Sequence, residues 1–151
     1  MLARLIQEAD FDSVVGLAAE MHAEAPAYRD FAFDPDRVRS LCQLCLDANE
    51  WICVVVEDDD GRLIGFTAAG VVPTLFGHEL VAEDLAFYVH PSRRGTTAAV
   101  RMLRMIETWA KALGAKVIRM GITTGTNPVQ TAKFLSRFGY VETGWLYTKG
   151  V

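Results

Sequence analysis

The stretch from Val81 to Met120 restricts the fold more than any other part of the chain. A β-rich run, Val81 to Val89, is stopped by His90-Pro91. A stripe of Ala99, Met102, Leu103, Ile106, Trp109 and Leu113 then holds helical spacing as far as Gly114, and Lys116 to Met120 returns to a strand pattern. Proline lacks the N–H that a strand ladder needs, and a glycine just past the last apolar position suits a left-handed helix cap. A strand, a long amphipathic helix and another strand in succession demand a sheet covered by a helical layer.

The flanking sequence extends this pattern. Leu2 to Ile6 reads as a first strand, and Asp10 or Asp12 as the cap of a helix whose apolar face is Phe11, Val14, Val15, Ala18 and Met21. Glu24 to Phe33, rich in proline and aromatics, reads as a loop. Asp34-Pro35 then sets a cap and a first-turn proline before a second helix ending at Asn49. Trp51 to Glu57 and Leu63 to Val71 flank Asp58-Asp59-Asp60-Gly61, the signature of an antiparallel hairpin. After the strand–helix–strand stretch, Thr123 to Thr126 is a polar loop, Asn127-Pro128 opens a last helix closed by Gly139, and Tyr140 to Lys149 supplies one or two closing strands. Strands alternating with helices, plus a hairpin, predict an α/β or α+β three-layer sheet. There is no internal repeat, low-complexity tract or break in composition, so residues 1–151 are expected to form a single domain.

Composition narrows the partners. Of 151 residues 51% are apolar, enough for a sizeable core, and 15 Lys and Arg against 19 Asp and Glu leave a net charge of −4. That balance argues against a nucleic acid or an anionic membrane as partner. No apolar run is long enough to span a bilayer and no signal-peptide core begins the chain, so a soluble, cytoplasmic protein is expected. Three cysteines, Cys42, Cys45 and Cys53, are an odd number. Cys42-x-x-Cys45 has no second pair at metal-ligand spacing and shares an apolar stripe with Val38 and Leu41, so buried thiols and no metal site are expected.

The segment Val89-His90-Pro91-Ser92-Arg93-Arg94-Gly95-Thr96-Thr97-Ala98-Ala99 joins a strand end to the long helix through two cations and several small residues. A helix start offers unpaired N–H groups and positive partial charge, and small residues let a pyrophosphate approach the backbone. Arg93, Arg94, Arg101 and Arg104 gather four of the fifteen cations around this point. The alternative is a plain capped helix with solvated arginines.

These residues, with their surroundings, resemble the Gcn5-related N-acetyltransferase (GNAT) family, in particular its small single-domain bacterial and phage members. Val89-His90-Pro91 followed by Arg94-Gly95-Thr96-Thr97-Ala98-Ala99 is similar to the family's Arg/Gln-x-x-Gly-x-Gly/Ala signature, with Thr97 where glycine is usual. Asn127 to Gly139-Tyr140 is similar to its later Asn, helix and Gly-aromatic segment. The resemblance implies a central mixed sheet of about six to seven strands flanked by helices, and acetyl transfer from acetyl-CoA to a primary amine by direct attack. It implies that the backbone of Phe87, Tyr88 and Val89 holds the pantetheine arm and thioester. Arg94 to Ala99, with Arg93 beside them, would hold the pyrophosphate, and Asn127 the cofactor arm. The tyrosine that often protonates the departing thiolate in the family is replaced by Leu135. Either the thiolate leaves unaided, or another group such as Tyr147 or Ser136 protonates it.

A lysine-like amine costs about 4.6 kcal/mol to deprotonate at pH 7 and an α-amine only about 1.4 kcal/mol, so the need for a base depends on the substrate. Glu83 and Asp84 are the acids on the fourth strand and point to opposite faces. Glu83 is the first choice as base, because its spacing from Val89 is similar to that of the catalytic glutamate in some relatives; Tyr88 and His90 are fallbacks. Met21, Tyr28, Phe31, Phe33 and Phe76 are candidate walls for the substrate, and Glu24 and Glu79 candidate partners for its charge. Thr97 and Leu135 also motivate a rival: a catalytically weak or inactive acyl-CoA-binding sensor or interaction module. A homodimer through the closing strands, Trp145 and Val151 is a further expectation.

Overall fold

The computed structural model describes residues 1–151. Five strands lie in the order β1 (Leu2–Leu5), β2 (Trp51–Glu57), β3 (Leu63–Pro73), β4 (Leu80–Val89) and β5 (Ala115–Arg119). Neighbours are antiparallel except β4 and β5, which the crossover helix α3 (Ala98–Ala112) makes parallel. Helices α1 (Phe11–Glu24) and α2 (Pro35–Asp47) pack on one face, and α4 (Pro128–Arg137) follows β5.

The alternation along β2 decides the layers. Cys53 and Val55 point toward α1 and α2, joining Val14, Leu17, Met21, Cys42, Phe66 and Tyr88 in one core. Ile52, Val54 and Val56 point the other way, joining Ala98, Met102 and Ile106 of α3. A continuous apolar run therefore serves two cores, and Val54, Val55 and Val56 are all fully buried. At about 1.5–3 kcal/mol for each such side chain, this strand is a main source of stability.

Several ends obey the local signals. Asp34 Oδ1 accepts from Asp36 N at 2.9 Å and Arg37 N at 3.3 Å, capping α2 ahead of Pro35. The β2–β3 turn holds Gly61 at φ 77°, Gly114 ends α3 at φ 79°, and Gly139 closes α4 at φ 84°. The three cysteines are free thiols; burial pushes Cys42 up to about 11 and Cys45 up to about 12.

Other expectations are corrected. Asp10 has helical backbone and does not cap α1 through its side chain. Its carboxylate instead takes Arg4 at 2.6 and 2.9 Å and Gln7 N at 2.8 Å, while Arg4 also pairs with Glu57. The sheet has five strands rather than six or seven, because the residues from Tyr140 to Lys149 form none. Trp145 and Tyr147 stand exposed there, so no core selects a strand register for them. No helix is long and apolar enough to cross a membrane.

Candidate functional site

Strand β4 carries an irregularity that creates the site. Ala86 pairs with Ala68, but Asp84 pairs with Ala69, so Leu85 is an extra residue. The bulge reverses the strand's phase. Ala82 packs against Ala110 of α3, whereas Ala86 and Tyr88 join the α1–α2 core. Pairing with β5 runs only from Leu80–Ala115 to Glu83–Arg119 and stops there. Beyond this point the two strands separate, and a cleft of about 750 Å³ opens between β4, the start of α3, the loop after β5 and α4.

Backbone groups of alternate strand residues point to opposite edges. His90 N donates to Ile64 O at 2.9 Å on the β3 side, so Tyr88 also faces β3, and Phe87 and Val89 present their backbone to the open edge. Val89 O already accepts from Arg94 Nε at 3.0 Å. Tyr88 turns its backbone to β3; its hydroxyl approaches Glu20 at 3.4 Å, and burial pushes its pKa up to about 12.

At the start of α3, Gly95 turns at φ 83°, and Thr96 Oγ1 donates to Arg93 O at 2.7 Å. The N–H groups of Ala99 and Val100 have no backbone acceptor, and both residues line the cleft. Thr97 has ordinary helical geometry, φ −75°, and accepts from Arg101 Nε at 3.3 Å, away from the cleft. Ala98 is buried in the core beneath α3. Arg93, Arg94, Gly95, Thr96 and Ala99 line the cleft; Thr97 and Ala98 do not. Both expected phosphate cations are paired with carboxylates: Arg93 with Asp58 at 2.9 Å, and Arg94 with Glu24 at 2.6 and 2.5 Å.

The two strand acids separate cleanly. Glu83 lies outside the cleft, where it takes Arg119 Nη1 at 2.7 Å in solvent. Asp84 lines the cleft where β4 and β5 part, and its Oδ1 accepts from Gly121 N at 2.6 Å. Burial raises its pKa, partly offset by the Gly121 N–H. His90 is occupied in the turn, with Nδ1 2.8 Å from Ser92 Oγ.

Of the expected substrate wall, Tyr28 and Met21 line the cleft. Phe31 is exposed, Phe33 packs edge-on against His22 at 5.5 Å, and Phe76 stands almost wholly in solvent; none lines the cleft. Glu24 is taken by Arg94 and Glu79 by Lys116 at 2.5 Å, so neither carboxylate stands free for an amine. Asn127 lines the cleft with left-handed backbone, φ 46°, and makes no side-chain cap. Leu135 is buried in the cleft wall, while Ser136 bonds back to Lys133 O and Tyr147 is exposed.

On the opposite wall, beside Asn127 and Leu135, the sequence pattern does not single out Phe134 or Arg137. Phe134 lies between Phe87 at 6.3 Å and Phe138 at 5.1 Å, and Arg137 reaches the cleft with no carboxylate partner. Ala27 N donates to Thr124 O at 3.2 Å, and Gly125 abuts Pro26, joining the loop after β5 to the loop after α1. The helical spacing of Phe134 and Phe138 was the available signal; the loop contact had none.

The chain resembles glucosamine-6-phosphate N-acetyltransferase from Arabidopsis thaliana (TM-score 0.77, 10% identity, covering 99% of this chain and 97% of that one). It resembles equally AAC(6')-Iy in complex with the bisubstrate analogue CoA-S-monomethyl-acetylneamine (0.77, 16%, 99% and 97%). Ribosomal-protein-alanine N-acetyltransferase from Brucella melitensis biovar Abortus 2308 gives 0.74 at 15% identity over the whole of both chains. At such identities the likeness establishes the fold. No curated protein sequence matches significantly. Residues 17–140, most of the chain, match the acetyltransferase (GNAT) family, and the chain therefore belongs to that family.

Proposed function

We propose that this chain is an acetyl-CoA-dependent N-acetyltransferase that acetylates a primary amine by direct attack. The observation that carries the reading is the open edge of β4 beside the start of α3, with Asp84 where β4 and β5 separate. The donor set fits the cofactor. Backbone groups of Phe87 and Val89 suit an amide-bearing arm, the free N–H groups of Ala99 and Val100 with Gly95 and Thr96 suit a pyrophosphate, and Phe87, Phe134 and Phe138 offer an apolar surface. Asn127 and Arg93 border the same cleft. Acetyl-CoA, when bound, supplies the activated acetyl thioester.

Asp84 is the base in this reading. Its Oδ1 is held by Gly121 N, which fixes the carboxylate, and its raised pKa moves it toward the pH at which a base accepts an amine's proton effectively. Glu83, spent on Arg119 outside the cleft, is set aside. Leu135 offers no proton, so the chain uses no acid at that position. Tyr28 and Met21 form the acceptor side.

The test is thermal unfolding with acetyl-CoA, followed by free-thiol release across a panel of primary amines. A ligand at about 100 times its Kd adds about 2.7 kcal/mol, or about 5–10 °C in a chain this size. Absence of any shift with saturating acetyl-CoA or CoA refutes the cofactor assignment. A shift without thiol release across the panel identifies the acyl-CoA-binding module that Thr97 and Leu135 suggested.

A further inference from the structure

Arg94 occupies the signature cation position, yet its donors are directed away from the start of α3. Nη1 and Nη2 grip both oxygens of Glu24 at 2.6 and 2.5 Å, Nε donates to Val89 O at 3.0 Å, and the guanidinium lies 5.7 Å from the centre of the Tyr88 ring. Glu24 is the last residue of α1, directly before the loop that carries Tyr28. Val89 is the last residue of β4, at the open edge. One side chain thus joins the end of the cleft strand to the helix that begins the acceptor wall. A planar guanidinium in a bidentate pair is directional, so redirecting it to a phosphate would break two charge-assisted bonds and leave a half-buried carboxylate unpaired.

We infer that Arg94 is a positioning residue: with Glu24 it braces the acceptor wall against the open edge of β4, and it does not bind the cofactor's phosphates. The inference rests on the proposed acetyl transfer for its consequence in catalysis, but the brace itself is independent of that reading. It places phosphate recognition on the backbone of the α3 start, and it withdraws Glu24 from any role in holding the amine's charge. Val89 O is occupied by Arg94, leaving Val89 N–H and the Phe87 backbone as the open-edge groups.

The test uses Glu24→Gln, Arg94→Lys, Arg94→Met and the double variant Glu24→Gln/Arg94→Met, with folding checked by thermal unfolding. Calorimetric titration with CoA, ³¹P spectra of bound CoA, and hydrogen exchange at residues 25–34 are measured on each. The expected result is a CoA Kd within about threefold of the wild type in every variant and unchanged pyrophosphate resonances. Exchange at residues 25–34 rises about tenfold or more in Arg94→Met and Glu24→Gln alike, with no further increase in the double variant, because contacting partners are not additive. With the most active amine of the panel, kcat/KM falls about 10- to 100-fold, as a misplaced substrate wall requires, and Arg94→Lys recovers part of the loss.

A tenfold loss of CoA affinity in Arg94→Met, with Glu24→Gln unchanged or tighter, makes Arg94 a phosphate ligand and overturns the inference. So does unchanged exchange at residues 25–34 in both single variants. Failure of the wild-type protein to bind CoA refutes the proposed function instead, and the exchange measurements still decide the brace.

Discussion

Asp84→Asn separates the charge of Asp84 from its shape. The amide oxygen of asparagine still accepts the Gly121 N–H now bonded at 2.6 Å, and the volume is preserved, so the substitution removes the negative charge and little else. Burial raises the folded-state pKa of Asp84 above its ordinary 3.8. The folded protein therefore binds a proton there more tightly than the unfolded chain does. The associated stability is fully present below pH 3.8 and is lost as pH rises through the folded-state pKa, at up to about 1.4 kcal/mol per pH unit. Asp10 and Glu24 have lowered values and act in the opposite sense, so the informative quantity is the variant minus the wild type. Denaturant unfolding at intervals from pH 3.5 to 8 should show the two proteins alike at the acid end, with Asp84→Asn gaining on the wild type as pH rises and then levelling. In the same variant, thiol release should fall about 10²- to 10⁴-fold, the usual cost of a lost general base. A stability difference that is flat with pH, or that favours the wild type increasingly toward pH 8, refutes the burial argument. Full turnover in Asp84→Asn refutes the catalytic one.

Three further outcomes follow from the packing. Thr97→Gly should change CoA affinity by no more than about twofold, because Thr97 is turned from the cleft and needs no glycine conformation, and should destabilise by only a few tenths of a kcal/mol by calorimetry. Gly65→Ala should destabilise by about 1–3 kcal/mol in denaturant titration and weaken CoA binding. Its Cβ would stand 2.7 Å from Tyr88 O, and a ladder backbone cannot yield without moving the end of β4. Asp10→Ala should destabilise by about 1–3 kcal/mol at pH 7, since it strips Arg4 of a bidentate partner but leaves Glu57. That loss should shrink as pH falls through the lowered Asp10 pKa, where the wild type also loses its carboxylate.

Much of this protein is dictated locally. Asp34-Pro35 sets the start of α2, Gly61, Gly114 and Gly139 take the left-handed backbone their places demand, and the apolar stripe through Met102 and Ile106 commits α3 to the sheet, while Ala99, expected on that stripe, lines the cleft and Ala98 is buried in its place. The segment from His90 to Ala99 already marked the cleft's end, because a strand stop and a helix start are short-range events. What sequence could not resolve depends on contacts between distant residues. The Leu85 bulge is a mismatch with β3 and changes which face each β4 side chain takes, so alternation counted along β4 alone could not choose between Glu83 and Asp84. The partners of Arg94 and Arg93 lie 70 and 35 residues away. Residue type announced two cations beside a helix start, but only tertiary structure decided that both are already paired with carboxylates, because charge pairing is settled by proximity in space and not by order along the chain.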